Sequence, residues 1–166
     1  LFRIKLYDSL NNPVSFDSMG TIYTKLYAMK IDKDSIIGKE LFYRMNSWAD
    51  STVYLYMTSR QNGIFGNSVN TYTGLLDSIE EMFKYPANAG DIYISDNGII
   101  TVSSINEIVT VPAGTFSCYL YDIKIADEEV IFYISPGSGF IKIEIDYTSR
   151  PNGRLVIFEL TNLTLK

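Results

Sequence analysis

Thr110–Val111–Pro112–Ala113–Gly114–Thr115–Phe116–Ser117–Cys118–Tyr119 is the stretch on which the fold turns. Two strand-like runs, Ile105–Val111 and Thr115–Ile125, meet at Pro112–Ala113–Gly114. Proline presets φ for the first central position of a type I turn, and glycine reaches the positive φ that closes a bulged hairpin. The motif therefore places a hairpin tip. It carries no reactive group except Cys118, which lies between apolar neighbours on a strand and reads as a small buried residue. No Lys or Arg adjoins Cys118, and the chain has no His to activate a thiol.

Toward the C terminus, Thr115–Ile125 turns at Asp127–Glu128–Glu129 into Val130–Ile134, and Pro136–Gly139 turns the chain again. Phe140–Tyr147 has the cleanest alternation: Ile141, Ile143 and Ile145 on one face, Lys142, Glu144 and Asp146 on the other. Pro151–Asn152–Gly153 leads to the last strand, Arg154–Leu165, which offers Val156, Phe158 and Leu160 to one face. Between them, either Ile131 and Tyr133 or Phe132 and Ile134 would share that face.

Toward the N terminus, Asp96–Asn97–Gly98 joins Ile92–Ser95 to Ile99–Ser103, and Ser103–Ser104 breaks the alternation as a bulge would. Phe2–Tyr7 and Thr52–Thr58 alternate as strands, the second turning at Gln61–Asn62–Gly63. Thr21–Ile31 and Ile36–Met45 predict a long hairpin turning at Asp32–Lys33–Asp34–Ser35. Asp32, Asp34 and Gly38 lack the further acidic positions of a calcium loop, so no metal site is assigned. The period changes once. Leu75, Leu76, Ile79, Met82 and Phe83 fall on one helical face, with Asp77 and Glu80 as a capping pair and Pro86 as the stop.

About eleven short strands and one helix predict a mainly β, α+β protein. One large antiparallel sheet left open would bare a face, so it is expected to curl into a half-open barrel with the helix covering it. At 166 residues the whole span 1–166 reads as a single domain.

Composition narrows the chemistry. The absence of His removes Ser-His-Asp and Cys-His catalysis and ordinary zinc sites. The carboxylates Asp77, Glu80 and Glu81, and those at 127–129, are the remaining acid–base candidates, and they sit where charged residues are usually just solvated. No catalytic residue and no cofactor is assigned. A net charge of −5 with 14 scattered basic residues argues against a nucleic-acid partner. No apolar run is long enough for a membrane-spanning helix. Thirteen Tyr, nine Phe and one Trp supply broad apolar surface.

Tyr85–Pro86 with Gly90–Asp91–Ile92–Tyr93, Val102–Ser103–Ser104, Val111–Phe116 with Cys118–Tyr119, Pro136–Gly137 with Gly139–Lys142, and Glu159–Leu160–Thr161 form a combined pattern over about residues 75–166. In that pattern the chain resembles uncharacterised secreted or envelope proteins of Bacteroidota, similar in turn to domains of unknown function with the LolA/LolB-like half-barrel. The resemblance implies export behind a signal peptide, to the periplasm or to an outer-membrane lipid anchor; Leu1 at the start fits a mature form or an excised segment. It also implies a lipid-like or other apolar ligand on the concave side of the sheet, where Ile141, Ile143, Ile145, Val156, Phe158 and Leu160 are the candidate contacts. The other expectation is a secreted binding or adhesion module that meets a glycan or protein through Tyr-rich strand faces: Tyr54, Tyr56, Tyr119 and Tyr121.

Overall fold

Val111 pairs with Gly114 across Pro112–Ala113, and Gly114 takes φ 136°, so the expected hairpin tip is present. The computed structural model describes residues 2–13, 31–37, 40–46, 54–68, 79–95, 98–125, 128–149 and 153–162. Among these residues are twelve strands: β1 (Phe2–Asp8), β2 (Ile31–Ile37), β3 (Glu40–Asn46), β4 (Tyr54–Arg60), β5 (Gly63–Ser68), β6 (Glu80–Lys84), β7 (Ile92–Ser95), β8 (Gly98–Val111), β9 (Gly114–Ile125), β10 (Glu128–Ser135), β11 (Gly139–Asp146) and β12 (Arg154–Leu160). All pairings are antiparallel.

The strands divide between two sheets rather than forming the single one expected. The larger has seven strands in the order β1-β12-β11-β10-β9-β8-β7, and the smaller has five in the order β2-β3-β4-β5-β6. Contacts likewise separate Leu1–Gly20 with Ala87–Lys166 from Thr21–Pro86. The division falls where Pro86, which has no N–H to donate, interrupts the alternation and Gly90 turns at φ 91°. In the larger sheet β7 to β12 form a continuous meander, and β1 joins it at the far side of β12 with Phe2 opposite Leu160. The outer strands β1 and β7 do not pair with each other, so this sheet is not closed into a barrel.

No helix occurs among the described residues. The segment read as helical over 75–83 is corrected at its C-terminal end: Glu80–Lys84 is strand β6, while residues 75–78 lie outside the described residues. Ile64 pairs with Phe83 and Phe65 with Glu81, so Met82 is an extra residue in the ladder. That bulge sets Met82 and Phe83 side by side and breaks the two-residue period, which imitates a helical spacing. Asp34 does the same in β2, where Lys33 pairs with Tyr43 and Ser35 with Phe42. The polar run Asp32–Ser35 is therefore strand, not turn, and the hairpin reverses between Ile37 and Glu40.

Candidate functional site

The six candidate contacts occupy neighbouring positions on β11 and β12. Ile143 lies opposite Phe158 and Ile145 opposite Val156. Leu160 follows on β12, whereas Ile141 is an extra residue at a break in the β10–β11 ladder, where Tyr133 pairs with Lys142 and Ile134 with Phe140. All six are buried, Val156 being the most exposed at 8%. The register extends the apolar rows across the sheet: Val130, Ile123 and Ile100 continue from Ile145, and Phe132, Tyr121 and Val102 continue from Ile143. The choice left open in β10 thus falls on Phe132 and Ile134, with Ile131 and Tyr133 on the opposite face.

The tip that the sequence places packs at the Leu160 end of β12, on the Tyr133-bearing side of the sheet. β8 changes register between Val102 and Ser104 and again between Ser104 and Glu107, so the distal half of the β8–β9 hairpin bends away from the meander. Its tip reaches β12, where the Ala113 amide donates to the Leu160 carbonyl at 3.0 Å. Three strand spacings separate β9 from β12 in a sheet, about 14 Å, so the arm must fold across the ends of β10 and β11 to make that bond. Val109, Val111 and Cys118 then form a buried cluster with Ile141 and Leu160, and Ala113, Phe116 and Tyr133 pack on it. These arm residues were not read as part of the site; the signal for them was the break at Ser103–Ser104, beyond which a straight hairpin would have lain bare.

The Tyr133-bearing face carries that cluster and, beside it, paired polar groups. Tyr133 donates its hydroxyl to Glu144 Oε2 at 3.0 Å, and Lys142 pairs with Glu144 while lying 5.0 Å from the Tyr133 ring centre. Burial, with Glu144 close by, pushes the Tyr133 phenol well above its ordinary range. Lys5 of β1 pairs with Glu159 of β12 at 2.9 Å.

The reactive groups have other roles. Burial, with a smaller contribution from Glu107, pushes the Cys118 thiol up to about 11, so it stays protonated near neutral pH. Asp122 beside Glu129 raises the Glu129 carboxyl, with desolvation adding to it; Glu129 also lies directly opposite Lys124 on β9 and Asp146 on β11. Glu80 and Glu81 lie on β6, where Asn62 donates to Glu81, while Asp77 and Asp127 fall outside the described residues. No cluster of His, Cys, Asp and Glu able to hold a metal ion occurs among the described residues. Nor is any helix there long and apolar enough to cross a membrane.

The Tyr-rich platform needs correction. Tyr121 is 1% exposed, because its strand turns it into the apolar rows, and Tyr119 stacks on it with ring centres 6.1 Å apart. Tyr54 and Tyr56 belong to β4, and their side chains lie outside the described residues. The exposed large apolar residues among those described are Leu10, Ile92 and Ile94 on β7, and Ile99, Ile105 and Ile108 on β8.

No protein-family model matches the chain, and no curated protein or solved structure matches it.

Proposed function

We propose that this is a non-catalytic cell-envelope protein that holds a lipid-like or other apolar ligand on the concave side of its larger sheet, which serves as a half-open barrel of the LolA/LolB-like kind. The observation that carries this reading is the largely buried apolar row in which Ile145 pairs with Val130 and Val156, and Ile143 with Phe132 and Phe158. No charged side chain lies among Ile143, Ile145, Val156 and Phe158. A continuous apolar surface of this kind suits a guest with a long hydrocarbon part. These four side chains are buried, so a guest would replace contacts they already make.

Titration with a fluorescent fatty acid tests the reading. Saturable uptake that an unlabelled fatty acid reverses is expected. Phe158→Asp should weaken uptake at least about tenfold where circular dichroism shows an intact sheet, since a carboxylate in that row is costly to desolvate. Phe158→Leu, which keeps the row apolar, should retain most of the uptake and covers the case in which the Asp variant does not fold. Absence of saturable uptake by the native chain would end this reading.

A further inference from the structure

β7 is an outer strand of the larger sheet and exposes two large apolar residues within four positions, Ile92 at 67% and Ile94 at 84%. Outer strands are commonly guarded by Lys, Pro or an inward-pointing charge. Ile92–Tyr93–Ile94–Ser95 has none of these.

The hydrogen-bond phase shows which backbone groups are open. The Val102 amide donates to the Asp91 carbonyl at 2.9 Å, and β7 then pairs residue by residue, Ile92 with Thr101, Tyr93 with Ile100 and Ser95 with Gly98. Antiparallel ladders bond at alternate pairs. The Asp91 carbonyl and the backbone groups of Tyr93 and Ser95 therefore turn toward β8, while Ile92 and Ile94 turn theirs outward. What completes such an edge is another extended strand.

The sequence itself selects that strand. Ile92–Tyr93–Ile94 reads identically in both directions, and an antiparallel pair of identical strands is related by a two-fold axis. With the axis at Tyr93, Ile92 of one copy meets Ile94 of the other at both outward-bonding positions, which satisfies four backbone bonds and sets isoleucine against isoleucine. Asp91 then falls opposite Ser95, so no like charges oppose each other directly.

We infer that β7 pairs with β7 of a second copy about a two-fold axis at Tyr93, joining two seven-strand sheets into one. An interface of this kind buries less than the ~1,200 Å² of a standard complex, so association is weak and depends on concentration. The net charge of −5 on each copy opposes it, and added salt strengthens it by screening.

Sedimentation of the full 166-residue chain between about 1 and about 200 μM reads the association directly, a range suited to small interfaces. A monomer–dimer equilibrium is expected. Ile94→Pro removes an amide that points away from β8 and costs no ladder bond, so it should give a folded monomer. Ile94→Lys should do the same by placing a charge against the second copy's isoleucine. Register is tested in a Cys118→Ala background: Tyr93→Cys should form an intermolecular disulfide on oxidation, because residue 93 faces itself across the axis, while Ile92→Cys should not. A native chain that stays monomeric throughout, a dimer that survives Ile94→Pro, or equal cross-linking at 92 and 93 would overturn the inference.

Discussion

Gly114→Val isolates the conformational demand at the hairpin tip. Gly114 sits at φ 136°, where a β-branched residue is strained. Space is not the obstacle: a Cβ there would meet the Phe116 ring at 3.7 Å, an ordinary contact. The cost is therefore backbone strain, about 1–3 kcal/mol. If the tip shifts to relieve it, the bond from Ala113 to Leu160 is lost instead, at about 1 kcal/mol. Either route gives about 1–3 kcal/mol. With a urea m-value of about 2 kcal/mol/M, the midpoint should fall by about 0.5–1.5 M. Because the chain has two compact units, the readout must belong to the larger sheet. Cys118 provides it, since the thiol is buried in that sheet and becomes open to labelling only when the sheet opens. Gly114→Ala is the control: φ 136° lies outside the left-handed well and strains any side chain, but alanine lacks the β-branch and should lose less than valine. An unchanged midpoint for Val, or a larger loss for Ala than for Val, would refute the reasoning.

Gly63→Ala should act by a different cause in the smaller sheet, because its Cβ would lie 2.5 Å from the Phe83 carbonyl oxygen and force β5 and β6 apart. Hydrogen exchange in β5 and β6 should quicken, while Cys118 protection stays unchanged. Glu129→Gln tests the raised carboxyl. A folded-state pKa above the unfolded value means that Glu129's contribution is fully present below the unfolded pKa and is lost as pH rises through the folded one. The variant should therefore be the more stable at pH 7, with its advantage shrinking as pH falls toward the ordinary carboxylate range. A difference between the two proteins that does not change with pH would remove Asp122 as the cause.

The meander from Ile92 to Leu160 was legible because each strand carries a two-residue period and each reversal a turn residue. Gly98, Gly114, Gly137 and Gly139 all have positive φ at such places. The failures have one physical origin. Met82 and Asp34 are extra residues in otherwise regular ladders, and an extra residue changes the local period without changing the element. Period alone then reads helix over Met82–Phe83 and turn over Asp32–Ser35. The site was legible in part: Ile143 and Ile145 alternate with Lys142 and Glu144, whereas Ile141 is itself an extra residue in its ladder, and the arm that packs on it depends on bends that only the register reveals. Tyr121 was misassigned because tyrosine suits either an interior row or an exposed platform, and alternation does not say which face is inside.

The pairing of β1 with β12 links these features. Residues 21–86 form a unit inserted between the first strand of the larger sheet and the remaining six. β1 therefore has no neighbour until residues near 154–160 are in place, and that long-range closure is entropically later than the local β7–β12 hairpins. β12 completes three things at once. It supplies Val156 and Phe158 to the apolar rows, accepts the hairpin tip through the Leu160 carbonyl, and presents Glu159 to Lys5. The ion pair matters for register in particular. A one-residue slip of β1 would turn Lys5 onto the apolar face and leave Glu159, only 7% exposed, without it. The alternation of β1 and β12 and the Lys5–Glu159 ion pair thus favour the same register, and β12 in that register offers the Leu160 carbonyl to the tip of the arm.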